Sequence, residues 1–225
     1  MRVTAAGDIA ARLRALFPCP VAVAAVPVGA GGGDLWPAEA VAMRNAVPSR
    51  RAEFTAGRAA ARLAMASLGL PLAAIPMRVD RSPDWPEAIS GSITHTDALA
   101  LAAVAPSARL AAIGIDAEPD EPLAEDLAEL VLRPEEKDLC AAESDPARAA
   151  RLFFVAKEAA YKCQFALTGE LLDFDGLSIS VSPEGAVKAI CTRQTGPWDA
   201  GASLEGRFTR CGGHIVAAFC LPARA

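Results

Sequence analysis

An α+β fold is predicted for this chain by three patterns. Apolar residues at helical period run from about Ser49 to Leu68 and from Asp145-Pro146 to about Leu167. Short apolar or alternating runs at Val21–Val28, Ala98–Ala105 and Leu110–Asp116 read as strands. Beyond Leu167 the pattern changes to Leu177–Val181, Ala186–Cys191, Ala202–Thr209 and Ile215–Leu221. These are an antiparallel meander, cut by Pro183-Glu184-Gly185, Gly196-Pro197 and Gly212-Gly213.

With 225 residues, 52% of them hydrophobic, the chain can bury a sizeable core as one large domain or two small ones. A net charge of −5 argues against a general nucleic-acid binder. Met1-Arg2 leads into polar Thr4 and Asp8, not into the apolar core of a secretory signal. The longest apolar stretch, Ala98 to Ile115, is broken by Pro106, Ser107 and Arg109, so strands and a turn are expected there, not a membrane span. Six cysteines without a CxxC pair are expected to be buried thiols in a reducing cytoplasm.

Val21–Val28 ends in the turn-rich Gly29-Ala30-Gly31-Gly32-Gly33-Asp34, which lacks the Gly-Lys-Ser/Thr ending of a phosphate loop and reads as a plain loop. Pro37 opens a helix expected to reach about Ala46. The helix from Ser49 stops at Gly69, a residue suited to the left-handed C′ position. Phe54, Ala61, Met65 and Leu68 lie towards its buried side, whereas Arg50, Arg51, Arg58 and Arg62 form a positive edge in an acidic protein. On these residues alone the edge is either an anion site or a solvated face.

Arg78 to Ile89 is a loop with Pro83 and Pro86, and Ser92-Ile93-Thr94-His95 ends a strand. Ala98–Ala105 and Leu110–Asp116 are expected to pair through Pro106-Ser107-Ala108. Two short helices follow, about Leu123–Val131 and Pro134–Ala142.

The chemistry concentrates in two places. Ile113-Gly114-Ile115-Asp116-Ala117-Glu118-Pro119 is a buried strand on which Asp116 and Glu118 face the same way. Such close like charges call for a cation, unless both are simply solvated at a strand end. The helix from Asp145-Pro146 buries Leu152, Val155, Ala156, Ala159 and Cys163 on one face. A second stripe runs Phe154, Glu158, Tyr161, Phe165, with Lys162 one turn beyond Glu158. Glu158 and Lys162 are either a surface i,i+4 pair or part of a site. Lys157 sits about 100° round the helix and looks towards a different part of any ligand. Three carboxylates, Asp116, Glu118 and Glu158, suit a hard divalent ion such as Mg²⁺, which favours oxygen ligands.

Gly114-Ile115-Asp116-Ala117-Glu118 followed by Phe154-Val155-Ala156-Lys157-Glu158-Ala159-Ala160-Tyr161-Lys162 resembles the paired motifs of the 4′-phosphopantetheinyl transferases, in the larger, Sfp-like or EntD-like type. Arg50-Arg51-Ala52-Glu53-Phe54, Gly57-Arg58, Trp85-Pro86 and Gly91-Ser92-Ile93-Thr94-His95 extend the match. The resemblance implies a pseudo-dimer of two similar α/β subdomains within an α+β chain, divided near Ala111 into residues 1–111 and 112–225. It also implies a monomer that acts without nucleic acid or membrane.

The implied reaction moves 4′-phosphopantetheine from coenzyme A to a serine of an apo acyl or peptidyl carrier protein and releases adenosine 3′,5′-bisphosphate. Carriers of fatty-acid, polyketide, peptide or siderophore synthesis are the acceptor class. By matching position, Arg50, Arg58, Arg81 and His95 contact coenzyme A phosphates, Lys157 and Lys162 hold the pyrophosphate, and Glu158 with the two lysines is catalytic. Asp116, Glu118 and Glu158 hold Mg²⁺, or Mn²⁺ in its place. The residues alone leave two other classes open: a metal-dependent phosphodiesterase acting on coenzyme A, and a non-catalytic protein that binds the carrier or coenzyme A.

Overall fold

The structure, a computed structural model, describes residues 2–30 and 33–223; Gly31 and Gly32 of the glycine run lie outside the described residues. Its architecture is α+β, with two antiparallel sheets each backed by one long helix. The first sheet has the order β1-β3-β2, built from β1 (Ala22–Pro27), β2 (Ile89–His95) and β3 (Leu99–Pro106). The second has the order β4-β8-β7-β6-β5. Its strands are β4 (Leu110–Pro119), β5 (Leu177–Val181), β6 (Ala186–Cys191), β7 (Ser203–Cys211) and β8 (His214–Pro222).

Helix α1 (Arg2–Arg14) was not among the expected elements, although Ile9, Leu13 and Leu16 recur at helical spacing and are buried. It contributes to a core shared by both sheets, where Leu101 and Ala103 of β3 meet Ile113 and Ile115 of β4. The opposite face of β3, Ala100, Ala102 and Val104, is covered by α3 (Pro48–Ser67) through Ala56, Ala60 and Ala64. Small side chains on both partners let the helix lie close to the sheet. On the outer face of the second sheet, α6 (Pro146–Thr168) buries Val155, Ala159 and Cys163, the stripe expected for it. Its N-cap is Asp145, which accepts from Arg148 N at 3.1 Å, and it closes on Gly169 at φ 67°.

Three expectations need correction. β3 does not pair with β4: both edges of β3 are taken, by β1 and by β2, and β4 pairs instead with β8, Asp116 opposite Ala217. The helix at Pro37 is short, with α2 (Pro37–Ala40) ending in a 3₁₀ turn at Val41–Met43. Val47 precedes Pro48 and is therefore extended, which stops any continuation into α3. Leu68 is exposed, because it is the C-cap of α3 and not part of its packed face.

The helices α4 (Glu125–Val131) and α5 (Pro134–Ala141) lie where expected. All six cysteines are free thiols; Cys140, Cys163 and Cys191 are buried, but Cys19, Cys211 and Cys220 are only half-buried. No helix among the described residues is long and apolar enough to cross a membrane.

Candidate active site

A cleft of about 950 Å³ opens between the two sheets. One wall carries Arg50, Glu53, Arg58, Arg78, Arg81 and His95; the other carries Asp116, Glu118, Phe154, Glu158, Tyr161 and Lys162. The fold thus brings to one place every predicted site residue except Lys157.

The close approach of α6 to β4 makes this possible. A Cβ on Gly114 would lie 2.0 Å from Ala159 O and 2.4 Å from Cys163 N, so only glycine admits the helix at that depth. Asp116, one strand repeat further on, is then level with the turn of α6 that carries Glu158 and Lys162. Lys162 Nζ donates to Asp116 Oδ1 at 2.6 Å. The surface pair between Lys162 and Glu158 is therefore not what forms; the lysine crosses to the strand.

Asp116 is 4% exposed, and its Oδ1 accepts a second bond from Thr94 Oγ1 at 2.8 Å. Its Oδ2 is buried without a partner. Glu118 faces the same cleft, where burial and the neighbouring Asp116 charge push its carboxyl up to about 7, opposed by Arg151 and Lys162. Burial also raises Glu158, with Lys162 opposing and Asp116 reinforcing the shift. Two carboxyls raised by burial, and a third with a bare buried oxygen, suit a divalent cation held by oxygen ligands. They are not drawn into a finished cage: among the described residues no three His, Cys, Asp or Glu side chains stand at metal-holding spacing.

On the opposite wall, Arg50 Nη1 donates to His95 Nε2 at 2.6 Å and lies 3.3 Å from Glu53 Oε2. Glu53 Oε2 is also 3.7 Å from His95 Nδ1. A guanidinium can only donate, so Nε2 is the acceptor in this bond; burial, then the Arg50 charge, lowers the His95 pKa in the same sense.

Arg58, on the same wall, is 4% exposed; it donates from Nε to Ile75 O at 2.6 Å and holds its guanidinium 4.0 Å from the Phe54 ring centre. Burial pulls its pKa down to about 10, which still leaves it charged at neutral pH. Arg81 stands at φ 70° in the tight turn of 78–82, where Arg81 N donates to Arg78 O. Arg62, by contrast, turns away from the cleft and donates to both oxygens of fully buried Glu39 at 2.7 and 2.8 Å.

Lys157 corrects the sequence expectation of a pyrophosphate contact. It is 1% exposed, and its ammonium is filled by Val131 O and Phe174 O, each at 2.8 Å, and by Glu136 Oε2 at 2.7 Å. Rotation by about 100° from Glu158 aims it under α4 and α5, not into the cleft. Glu136 in turn accepts from Arg133 N and Ile179 N, so the pair ties α5 to β5.

Two residues in the site carried no expected role. Arg151 Nη1 approaches Glu118 Oε2 at 3.4 Å, and Arg151 Nη2 donates to Pro122 O at 3.1 Å. It stands seven residues before Glu158 on the same helical stripe, a spacing that marks it as a neighbour of the site. Glu53, one turn from Arg50, had the same i,i+3 signal.

Comparison with known proteins bears on these two walls. The family model for the 4′-phosphopantetheinyl transferase N-terminal domain matches residues 37–105, and that for the 4′-phosphopantetheinyl transferase superfamily matches residues 112–220. The chain is 36% identical over 197 residues to 4′-phosphopantetheinyl transferase Svp of Streptomyces mobaraensis, covering 85% of this chain and 80% of Svp. It is 39% identical over 148 residues to 4′-phosphopantetheinyl transferase Npt of Nocardia iowensis, covering 66% and 67%. Enterobactin synthase component D of Salmonella typhi is 34% identical over 150 residues, covering 65% of this chain and 61% of that protein. With matches of this extent falling on the segments that build both walls of the cleft, the chain belongs to the 4′-phosphopantetheinyl transferase superfamily, in its larger, Sfp-like or EntD-like type.

Proposed function

We propose that the chain transfers 4′-phosphopantetheine from coenzyme A to a serine hydroxyl of an apo carrier protein, with the cleft between the sheets as the site of transfer. The observation that carries this reading is one cleft with arginines and a histidine on one wall and three carboxyls with a lysine on the other. That division suits a phosphate-rich donor whose pyrophosphate must meet both a cation and a proton acceptor.

In this reading residues 1–111 supply the coenzyme A phosphate contacts, from Arg50, Arg58, Arg81 and His95. Arginine suits the task because its planar fork bonds phosphate oxygens in pairs and stays charged. Residues 112–225 supply the reacting groups. Asp116, Glu118 and Glu158 would hold Mg²⁺, which when bound neutralises charge on the pyrophosphate oxygens as a Lewis acid. The serine oxygen attacks the pantetheine-side phosphorus, its proton passes to Glu158, and the phosphorus–oxygen bond to adenosine 3′,5′-bisphosphate breaks. Glu158 lines the same cleft as Asp116 and Lys162, so its carboxylate can reach a hydroxyl brought there. Lys162 leaves Oδ1 of Asp116 to meet the departing bisphosphate.

Both walls come from one chain, which supports action as a monomer. Six free thiols support a cytoplasmic setting.

The test is mass spectrometry of an apo carrier protein incubated with the enzyme, coenzyme A and Mg²⁺. A carrier heavier by one phosphopantetheine, abolished by excess chelator, is expected. Coenzyme A consumed while the carrier keeps its mass would mean a phosphodiesterase. Neither change would mean a binding protein.

A further inference from the structure

Three hydroxyls of β2 reach across to β4. Ser90 Oγ donates to Ala111 O at 3.3 Å, Ser92 Oγ accepts from Ile115 N at 3.1 Å, and Thr94 Oγ1 donates to Asp116 Oδ1 at 2.8 Å. Residues i, i+2 and i+4 of a strand share a face, so all three leave β2 on the side that meets β4. Each strand is the edge of its own sheet, and no backbone ladder joins them. Side-chain hydroxyls form this seam, and its last stitch lands on an acid of the site.

That stitch differs from the other two, which land on backbone atoms. Thr94 and Asp116 are each 4% exposed, so their bond is largely shielded from water. Both donors to Asp116, Thr94 and Lys162, use Oδ1, and Oδ2 is left buried and bare. The two donors are unlike. Lys162 hangs on a long flexible stem, 29% exposed, and can turn to an anion that enters the cleft. Thr94 is β-branched, stiff at χ1 and rooted in a strand. When Lys162 turns to an anion, Thr94 is the donor that still fixes the plane of the carboxylate.

We propose that Thr94 is a positioning residue for Asp116: its hydroxyl holds Oδ1 and so leaves the unpartnered Oδ2 free as a ligand for a divalent cation. This rests on the assignment of Asp116 as a metal ligand and deepens it. It also ties the two walls together, because Thr94 adjoins His95 on the same strand.

The test is a Mn²⁺ titration, with and without coenzyme A, followed by the electron paramagnetic resonance of free Mn²⁺. Partners that orient a metal ligand typically change affinity by about 10–100-fold when removed, and Thr94→Val should weaken Mn²⁺ binding by that order. Thr94→Ser keeps the hydroxyl though not the β-branch and should bind far closer to wild type than the valine variant does. Ser90→Ala cuts the seam away from Asp116; it should lower the unfolding temperature and leave Mn²⁺ affinity unchanged. If Thr94→Val does not fold, Thr94→Ala makes the same comparison. Unchanged affinity in the valine variant overturns the proposal while leaving Asp116 a ligand. So does an equal loss in Thr94→Ser, or in Ser90→Ala, which would trace the effect to packing. A wild type that binds no Mn²⁺ under either condition overturns the metal assignment itself, and this proposal with it.

Discussion

Lys162 Nζ sits 2.6 Å from Asp116 Oδ1, a bond from helix α6 to strand β4 across 46 positions of sequence. A lysine pointed at a cleft and held by an acid of that cleft is poised to move onto a phosphate. Lys162→Ala should lower turnover about 10²-fold or more, the usual loss for one electrostatic stabiliser. The unfolding temperature should change little, since the pair is only partly buried. Steady-state kinetics beside a thermal melt decides, and near-normal turnover would leave Lys162 a structural partner of Asp116.

Gly114 predicts a coupling of packing to activity. A methyl there would overlap the backbone of α6 at Ala159 and Cys163, so the helix must retreat. Overpacking a tight core costs about 1–3 kcal/mol and sometimes more. Gly114→Ala should lower the melting temperature and also reduce turnover in the protein that remains folded, because Glu158 and Lys162 ride on the displaced helix. A variant that is destabilised yet fully active when folded would show that this spacing does not set the site.

Lys157 should behave as a structural residue. Lys157→Ala strands Glu136 and two carbonyls in the core, and breaking a buried pair costs about 3–5 kcal/mol. The KM for coenzyme A, measured at a temperature where the variant is folded, should match wild type. A raised KM with unchanged stability would return Lys157 to the phosphate contacts suggested by its motif.

Glu118 predicts a pH dependence of stability. Its folded pKa, about 7, lies above the ordinary 4.5, so the folded state keeps a proton that the unfolded state has lost between those values. The stabilising contribution is complete below about pH 4.5 and is lost as pH rises through about 7. In cation-free buffer, the gain in melting temperature from Glu118→Gln should therefore grow from pH 5 to about pH 7 and level off above it. A constant difference across that range would show that Glu118 is ionised throughout.

His95 and Arg50, bonded to one another at 2.6 Å, would hold the 3′-phosphate of coenzyme A together. That contact is remote from the bond broken, so His95→Ala should raise KM for coenzyme A more than it lowers kcat. A hydrogen bond to a charged group is worth about 1.5–3 kcal/mol. Wild type should discriminate against dephospho-coenzyme A, and the variant much less. Equal discrimination in both proteins would assign the 3′-phosphate to other residues.

What the sequence by itself determined is what depends on near neighbours along the chain. The i,i+2 alternation put Asp116 and Glu118 on one face of a strand, and helical spacing put Phe154, Glu158, Tyr161 and Lys162 on one stripe. Helix ends followed from Asp145, Pro146 and Gly69, and strand limits of the meander from its glycines and prolines. All of these are local rules of backbone geometry.

Only the tertiary structure decided which distant groups meet. The partner of β4 is β8, roughly a hundred residues away, and not the adjacent β3, because β3 already spends both edges on β1 and β2. Helical spacing showed that Lys157 and Glu158 diverge, but not that Lys157 aims at Glu136 and two buried carbonyls. Arg62 looked like its neighbour Arg58 until the fold set Glu39 before it. The bond from Thr94 to Asp116 exists because two sheet edges meet there, and partner choice between edges is set by the packing of whole layers, which no local spacing encodes.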